Sequence, residues 1–532
     1  MPASSAVKKF ISSLEESRAP FVSFVLTFLS FVFLRNFLEH FSSHEPILAV
    51  NYLHYLLFYV VMLQWTALCL YAAVRVPFIR IFRVLVPCCA VILVPPILDL
   101  VISGGQGLRM VYLMPGVHDD LWRRFLTFFG SIREVGMGIT PGIQVEVFLI
   151  LMASLGYMRL KGAGWLRSLF FVFVLYGIFF AFGAVPFLVR GIAMALNLPS
   201  ASEEIGNMVF IKFYTLMMMG LFGGIFSLGW RAYFWQILKD LRVLRILHYE
   251  LLLVLGMVLR RAVLPVGAPL TLEALFDMVL MALAILFAGL FSLATNNMAD
   301  YKIDQISNRS RPLVTRAIPL EVYQRMGWIF LGLALLGAGV VSFRMLFYVG
   351  LFIGCYFLYS MPPIRFKRVL ILSKGVIALN SFVMLTAGYF LERARVIAHY
   401  RQDVPVLLEI HHAPFGISPT AVLVFFMFLM IPLNFIDLKD REGDRAAGIR
   451  TLPVMMGMRP AQQIIGAGFL AAYIGTVVIL RPYVDGSFRW LLVTAVGMGL
   501  IQVCLVGRRR YDERPVFLVH LVTLLGLIGL LW

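Results

Sequence analysis

Long apolar stretches follow one another along this chain, and most of them are long enough to cross a bilayer. A membrane-spanning helix needs about 20 mostly apolar residues. The predicted spans lie near residues 20–38, 51–74, 82–103, 143–158, 166–189, 208–229, 247–264, 274–296, 325–343, 346–360, 371–392, 419–437, 463–481, 488–507 and 514–532. The chain is 61% hydrophobic, whereas a soluble domain is about 45–50% apolar. The sequence therefore predicts an all-α polytopic membrane protein.

Lysine and arginine are distributed unevenly among the loops between these spans. If the N-terminus is cytoplasmic, most of the 46 basic residues fall on the cytoplasmic side, as the positive-inside rule requires. This distribution also explains the net charge of +18, because basic loops face an anionic inner leaflet. Nucleic acid is not needed as a partner. We expect an integral protein of a bacterial inner (plasma) membrane.

The chain is predicted to divide near residue 232. The stretch from Tyr233 to His248 is basic and amphipathic, which is typical of a segment that lies along the membrane interface. We interpret it as the junction between a six-span region, residues 1–232, and a nine-span region, residues 233–532. The role of the first region cannot be read from its sequence.

An acidic cluster follows directly on the span near 274–296. Carboxylates at the mouth of a membrane helix bundle are costly unless something positive binds between them. On an α-helix, positions i, i+4 and i+8 lie close to one face. Asn296, Asp300 and Asp304 therefore form one stripe, in which Asn296 supplies a neutral amide oxygen.

A second acidic cluster closes the span near 419–437 and falls on the same predicted membrane face. Asp437, Asp440 and Asp444 are spaced i, i+3 and i+7 and share a helix face. Two facing stripes of oxygen ligands suit Mg²⁺, which keeps waters or phosphate oxygens in its octahedral shell. We predict that both stripes hold magnesium and that the five aspartates act in catalysis. The alternative is that both clusters are ordinary solvated carboxylates at helix ends.

Basic side chains surround both clusters and suit a diphosphate group. Guanidinium groups bind phosphate bidentately, and lysine contributes a compact charge. Arg311 and Lys367 are the preferred phosphate contacts, although any single basic residue could instead serve only to set topology. The predicted substrate-binding residues are Asn296, Asn297, Arg309, Arg311, Tyr359, Arg365, Lys367, Lys439 and Arg441.

These residues resemble the UbiA-type intramembrane prenyltransferase superfamily over roughly residues 233–532. That family carries an N-x-x-x-D-x-x-x-D motif, matched by residues 296–304, and a D-x-x-D-x-x-x-D motif, matched by residues 437–444. The segments YSMPPIRFKR (359–368) and DREGDRAAGIRTLPVMMG (440–457) are also similar to the family. Asn297 departs from the pattern, because many members have aspartate there. The first 230 residues have no counterpart in the family.

The resemblance implies nine helices around a lipid-open cavity with a cytoplasmic active site. It further implies Mg²⁺ as cofactor, a polyprenyl diphosphate as substrate, and a hydrophobic or aromatic acceptor such as a quinone precursor or a lipid. Aromatic rings near the cavity mouth can stabilise an allylic cation, or they can simply pack. The candidate rings are Tyr301, Tyr356, Phe357, Tyr359 and Phe435.

Two other classes of protein remain open at this point. A multi-span transporter predicts inverted repeats and broken helices at mid-membrane, whereas the strong acids here sit at one face. A catalytically inactive membrane scaffold with a prenyltransferase-like half is the second alternative, and Asn297 is the residue that best supports it.

Charged residues interrupt the spans of the N-terminal region at Arg35, Asp99, Glu146 and Lys212. The predicted topology places all four near the outer membrane face. They either pair within a functional site or reach the membrane interface individually. Three histidines, His40, His44 and His54, lie near the same face, and without a clear set of three ligands they are weak support for a metal.

Overall fold

The computed structural model of this protein describes residues 2–43, 48–130, 139–199, 206–263, 266–403, 405–406, 408, 426, 429–446, 448–483 and 488–531. These residues form helices and connecting segments and contain no β-strand. Among them, thirteen helices are long and apolar enough to cross a membrane. The protein is therefore an all-α polytopic membrane protein, as the sequence predicts.

The thirteen helices correspond to thirteen of the predicted spans. The predicted span 247–264 is also a helix, Val243–Val263, but it carries four charged side chains and is less apolar than the others. The predicted span 419–437 lies mostly outside the described residues. Near its end, Pro432–Ile436 forms a 3₁₀ turn.

The chain forms two compact units. Unit 1 comprises Met1–Phe234 with Leu270–Phe276, and unit 2 comprises Trp235–Pro269 with Asp277–Trp532. The helices of unit 1 are α1 (Pro2–Glu15), α2 (Phe21–Ser43), α3 (Ala49–Val74), α4 (Phe78–Cys88), α5 (Val94–Ile102), α6 (Leu121–Leu126), α7 (Pro141–Leu160), α8 (Trp165–Gly183), α9 (Val185–Ala195) and α10 (Asn207–Gly229).

Helix α11 (Arg231–Asp240) crosses the boundary between the units. The helices that follow are α12 (Val243–Val263), α13 (Leu272–Ala299), α14 (Tyr301–Ser307), α15 (Leu320–Val341), α16 (Phe343–Ser360), α17 (Leu370–His399), α18 (Asp437–Ala446), α19 (Leu452–Met456), α20 (Met458–Leu480), α21 (Phe488–Val506) and α22 (Glu513–Leu531). The first residues of α13 belong to unit 1 and the rest of that helix to unit 2.

In unit 1, the amphipathic helix α1 packs against α4. Glu15, at its end, is 4% exposed. Its carboxylate accepts hydrogen bonds from the Tyr157 hydroxyl at 2.7 Å and from Lys161 Nζ at 2.6 Å. This buried carboxylate is therefore paired, and it fixes the N-terminal helix to α7 and the residue that follows it.

In unit 2, helices α12 and α17 cross at two glycines. A Cβ atom on Gly256 would lie 1.9 Å from the carbonyl oxygen of Leu385, and one on Gly388 would lie 1.8 Å from that of Leu253. Small residues allow membrane helices to approach to backbone contact. The crossing fixes the two helices that carry several of the polar residues of the site described below.

The segment 233–248 is not a single interfacial helix. Helix α11 ends at Asp240, and α12 begins at Val243 within the same segment. The first part of the segment is a short helix at the unit boundary, and the second part is the opening of a helix whose later residues are buried. Its basic residues therefore lie at the end of α11 and the beginning of α12, and Arg242 and Arg245 line the cavity described below.

Candidate active site

Both acidic clusters line one cavity in unit 2. The predicted site residues in its walls are Asn296, Asp300, Asp304, Arg311, Tyr359, Lys367, Asp437, Lys439, Asp440 and Asp444. The structure thus brings together every residue predicted to hold metal. The predicted substrate-binding residues that are not among its lining residues are Asn297, Arg309, Arg365 and Arg441.

The first carboxylate stripe crosses a helix boundary. Helix α13 ends at Ala299, and α14 begins at Tyr301. The backbone N–H of Asp300 nevertheless donates to the carbonyl of Asn296 at 2.9 Å, and that of Asp304 donates to the carbonyl of Asp300 at 2.8 Å. Because this i to i−4 spacing continues through the boundary, Asn296, Asp300 and Asp304 stay on one face.

Two basic side chains bind Asp300. Arg365 Nη2 lies 2.5 Å from Asp300 Oδ1, and Lys367 Nζ donates to the same oxygen. Burial lowers the pKa of Lys367, and the neighbouring Asp300 opposes that effect. Arg365 therefore contributes to the site through Asp300, although it does not line the cavity. A phosphate group entering the cavity would compete with Asp300 for these cations.

The second stripe lies along α18, which begins at Asp437. Lys374 Nζ lies 2.8 Å from Asp437 Oδ1. Burial raises the pKa of Asp440. Burial, together with the carboxylates of Asp437 and Asp440, raises the pKa of Asp444 to about 7. A raised pKa means that these surroundings disfavour the ionised carboxylate.

This donor set fits a divalent cation. Hard cations such as Mg²⁺ prefer carboxylate and amide oxygens, and a bound cation would offset the burial and the carboxylate repulsion that raise the pKa of Asp444. Burial also raises the pKa of Asp304. Among the described residues, no three His, Cys, Asp or Glu side chains already converge as a metal site. Asp300 and Asp437 instead bind basic side chains.

Asn297 does not line the cavity with the two carboxylate stripes. It is 1% exposed, and its Nδ2 donates to Asp240 Oδ2 at 2.6 Å and to the Tyr323 hydroxyl at 2.8 Å. Asp240 in turn accepts a hydrogen bond from Arg311 Nη1 at 2.5 Å. Asn297 therefore helps to position Arg311, which lines the cavity. An aspartate at 297 could not donate these hydrogen bonds.

Several polar residues of the cavity wall were missed by sequence reasoning, namely Arg242, Arg245, His248, Ser373, Lys374 and His520. The sequence analysis interpreted Arg242, Arg245 and Lys374 as determinants of membrane topology or as part of an interfacial segment. Burial, with the nearby Arg245 and Arg311, lowers the pKa of Arg242 to about 10. The only sequence signal for Arg242 and Arg245 is their i, i+3 spacing at the opening of a spanning helix.

The cavity continues into a mostly apolar chamber. Two histidines, a tyrosine and a serine belong to the walls of both. His248 and His520 are 3.1 Å apart at their ring nitrogens, His520 lies 3.2 Å from the Tyr473 hydroxyl, and His248 lies 3.1 Å from Ser381 Oγ. The far wall of the chamber is apolar and includes Leu252, Leu385, Leu491, Leu524, Leu527 and Leu530.

Aromatic rings also line the cavity that holds the carboxylates. Of the predicted rings, Tyr356, Tyr359 and Phe435 line the cavity, whereas Tyr301 and Phe357 are not among its lining residues. The cavity thus combines anionic, cationic and aromatic side chains, and it continues into the aliphatic chamber. A cavity with this lining suits a long amphipathic anion.

The fold and this cavity define a polytopic helical membrane protein with a carboxylate-rich internal site. A model of the UbiA prenyltransferase family matches residues 253–524, about half of the chain, and the protein belongs to that family. The match leaves unit 1 almost entirely outside it.

Several curated relatives are similar in sequence to part of this chain. The homogentisate geranylgeranyltransferase of Triticum aestivum is 24% identical over 43% of this chain and 54% of its own length. The digeranylgeranylglyceryl phosphate synthase of Haloquadratum walsbyi is 28% identical over 44% of this chain and 72% of its own. The match thus spans about half the length of the wheat protein. A solved structure of a UbiA homolog from Archaeoglobus fulgidus bound to GPP and Mg²⁺ is 18% identical, with a TM-score of 0.43, over 56% of this chain and 98% of the homolog.

Proposed function

We propose that this protein transfers a prenyl group from a polyprenyl diphosphate to an acceptor within the membrane, with Mg²⁺ as cofactor. One observation carries the proposal: two stripes of carboxylates line the same cavity as several lysines and arginines, and that cavity continues into an apolar chamber. Membership of the UbiA prenyltransferase family supports it.

The carboxylates and the basic side chains would bind the diphosphate group of the substrate together, the former through magnesium and the latter directly. The magnesium, when bound, neutralises charge on the departing diphosphate. Its holders would be Asn296, Asp300, Asp304, Asp437, Asp440 and Asp444. Lys367 and Arg311 would bind phosphate oxygens directly, and Arg365 and Lys374 would share their charge between the carboxylates and the phosphates.

The remaining residues serve the chemistry of the prenyl group. The allylic C–O bond breaks, and its electron pair leaves with the diphosphate. The acceptor then forms the new bond to the prenyl carbon and loses a proton. The rings of Tyr356, Tyr359 and Phe435 would stabilise the allylic cation, and the apolar chamber would hold the prenyl tail and exclude water.

The acceptor is proposed to be an aromatic quinone precursor or a lipid. The names of the relatives cover both, since one group uses homogentisate and the other forms a glyceryl phosphate lipid. We further propose a bacterial inner (plasma) membrane, with the N-terminus and this cavity on the cytoplasmic side, because the basic loops favour that orientation.

The test uses full-length protein with labelled geranylgeranyl diphosphate, with and without MgCl₂, and measures diphosphate release and prenylated product. We expect release to require Mg²⁺ and to fall at least about 100-fold in Asp300→Asn and Asp437→Asn, since charge stabilisation of a leaving group is worth that much or more. Asp512→Asn is the control, because Asp512 is exposed. A transporter or an inactive scaffold predicts no release, and release that is unchanged in both variants would also reject the proposal.

A further inference from the structure

A separate cavity lies in unit 1, outside the residues that the family model matches. Its volume is about 470 Å³, and its walls include Glu39, Glu146 and His54. Lys212, which the sequence grouped with the charges of this region, instead pairs with Glu273 at 2.7 Å. His44 lies outside the described residues. The aromatic rings of the cavity wall are Tyr52, Tyr55, Phe58, Tyr59, Tyr112, Phe129, Phe179 and Phe210.

Buried carboxylates outnumber the buried cation beside this cavity. Arg35, which is 1% exposed, forms an ion pair with Glu39 and donates to the Tyr59 hydroxyl at 3.3 Å. Arg35 also interacts electrostatically with Glu146, and Glu146 with Glu39 and Asp99. All three carboxylates are 5% exposed or less. Charge inside a membrane bundle is costly unless it is paired, so this described cluster is short of positive charge.

Asp99 has its own hydrogen-bond donors. The Thr140 hydroxyl donates to it at 2.5 Å, and the backbone N–H of Gly142 donates at 2.7 Å. Glu146 differs, because its Oε2 is buried without a hydrogen-bond partner. Glu146 lines the cavity, so its carboxylate is the group that a bound ligand would meet. Arg109 lines the cavity as well, but its side chain is exposed.

A buried histidine also lines this cavity. His54 is 7% exposed, and its Nε2 lies 2.5 Å from the Tyr112 hydroxyl, which lies 2.9 Å from that of Tyr214. In the tautomer that donates from Nε2 to Tyr112, Nδ1 carries a lone pair. That Nδ1 has no hydrogen-bond partner. In that tautomer, His54 offers an acceptor in addition to the Glu146 carboxylate.

We propose that this cavity binds the ammonium group of an amphipathic amine. An ammonium group carries N–H donors for the Glu146 carboxylate, and its charge compensates the excess of carboxylates. The surrounding rings attract a cation through their faces. The described residues contain no set of three His, Cys, Asp or Glu arranged for a metal ion. The ammonium group belongs either to a phospholipid headgroup or to a free alkylamine.

The first test compares ligands that differ only in charge, on full-length protein in detergent, by calorimetric titration. We expect dodecylamine to bind about tenfold or more tightly than dodecanol, since a desolvated cation–π and charge contact reaches that scale. Equal binding of the two would overturn the proposal. Dioctanoyl phosphatidylethanolamine and dioctanoyl phosphatidylglycerol form the lipid arm. Preference for the ethanolamine lipid over dodecylamine identifies a lipid source, and the reverse identifies a free amine.

The second test removes the open carboxylate. Glu146→Gln keeps the shape of the side chain, and we expect it to abolish the preference for dodecylamine over dodecanol. The ligand-free variant should melt at the same temperature as the wild type or higher, because a poorly paired buried charge is gone. Glu16→Gln is the control, since Glu16 is exposed. A preference retained in Glu146→Gln would overturn the proposal, and the wild-type comparison decides it even if this variant does not fold.

Discussion

Lys374 and Asp437 form a buried ion pair, with Lys374 Nζ 2.8 Å from Asp437 Oδ1. The two residues are 2% and 8% exposed. Removing one partner of a buried pair leaves the other charge uncompensated, at a cost of about 3–5 kcal/mol. We therefore expect Lys374→Met to lower the free energy of unfolding in detergent by about that amount. Lys302→Met, at an exposed lysine, should leave it unchanged.

The double variant Lys374→Met/Asp437→Leu distinguishes the cost of the unpaired charge from other effects of the substitution at Lys374. It removes both charges, so it should recover most of the stability that Lys374→Met loses, while remaining inactive. If the double variant is as unstable as the single one, the pair does not account for the loss.

The pKa of Asp444 predicts a pH-dependent effect of magnesium. Burial and the carboxylates of Asp437 and Asp440 raise this pKa to about 7, whereas an unfolded aspartate titrates near about 3.9. A raised pKa means that the folded state favours the neutral carboxyl. This contribution to stability is fully present below about pH 4 and is lost as pH rises through about 7.

A bound divalent cation would favour the ionised form of Asp444 and so reverse this trend. We expect MgCl₂ to raise the melting temperature more at pH 8 than at pH 6. The pH dependence should weaken in Asp444→Asn and persist unchanged in Asp512→Asn. An equal effect of MgCl₂ at both pH values in the wild-type protein would show that Asp444 does not take part in binding the ion.

The carboxylate stripes were readable from the sequence because helical spacing is local. The positions of Asn296, Asp300 and Asp304 follow from 3.6 residues per turn, and this spacing continues across the break between α13 and α14. Thirteen of the fifteen predicted membrane spans were equally readable, since a bilayer requires a run of apolar residues whatever the tertiary packing.

The partners of those carboxylates were not readable, because they depend on packing between distant helices. Nothing local pairs Lys374 with Asp437, which lie 63 positions apart. Asn297 is adjacent to the stripe in sequence, yet it points to Asp240 and Tyr323. The charges of unit 1 show the same limit: Lys212 pairs with Glu273, which lies 61 positions away.

Asn297→Asp tests whether this residue is a lost metal ligand or a structural donor. The amide donates to Asp240 and Tyr323, so an aspartate would place a second carboxylate beside Asp240. We expect a loss of stability of about 1–3 kcal/mol or more, since a buried polar contact is broken and like charges are brought together. The denaturation midpoint in detergent measures it. Asn297→Asp/Asp240→Asn should recover part of the loss, and a gain in magnesium affinity in the single variant would contradict this role.

Gly256→Ala tests the crossing of α12 and α17. The added Cβ would lie 1.9 Å from the carbonyl oxygen of Leu385, and a backbone atom cannot move aside as a flexible side chain can. We expect little folded protein by size-exclusion chromatography. Gly354→Ala is the matched control, because a Cβ there meets nothing within 4 Å. Normal yield of Gly256→Ala would show that the helices can separate at this point.

Leu524→Trp tests whether the apolar chamber holds the prenyl tail. Leu524 lines the chamber and is 9% exposed, whereas the next residue, Leu525, is 53% exposed and is not among the lining residues. A larger side chain at 524 should shorten the space available, so turnover of geranylgeranyl diphosphate should fall well below that of geranyl diphosphate. One or two methylene groups alone change binding by about 1–3 kcal/mol, and the two substrates differ by two isoprene units. Leu525→Trp should retain the wild-type ratio of kcat/KM for the two substrates. If both variants show the wild-type ratio, the tail lies elsewhere in unit 2, and the assignment of this chamber is wrong even though the carboxylate site stands.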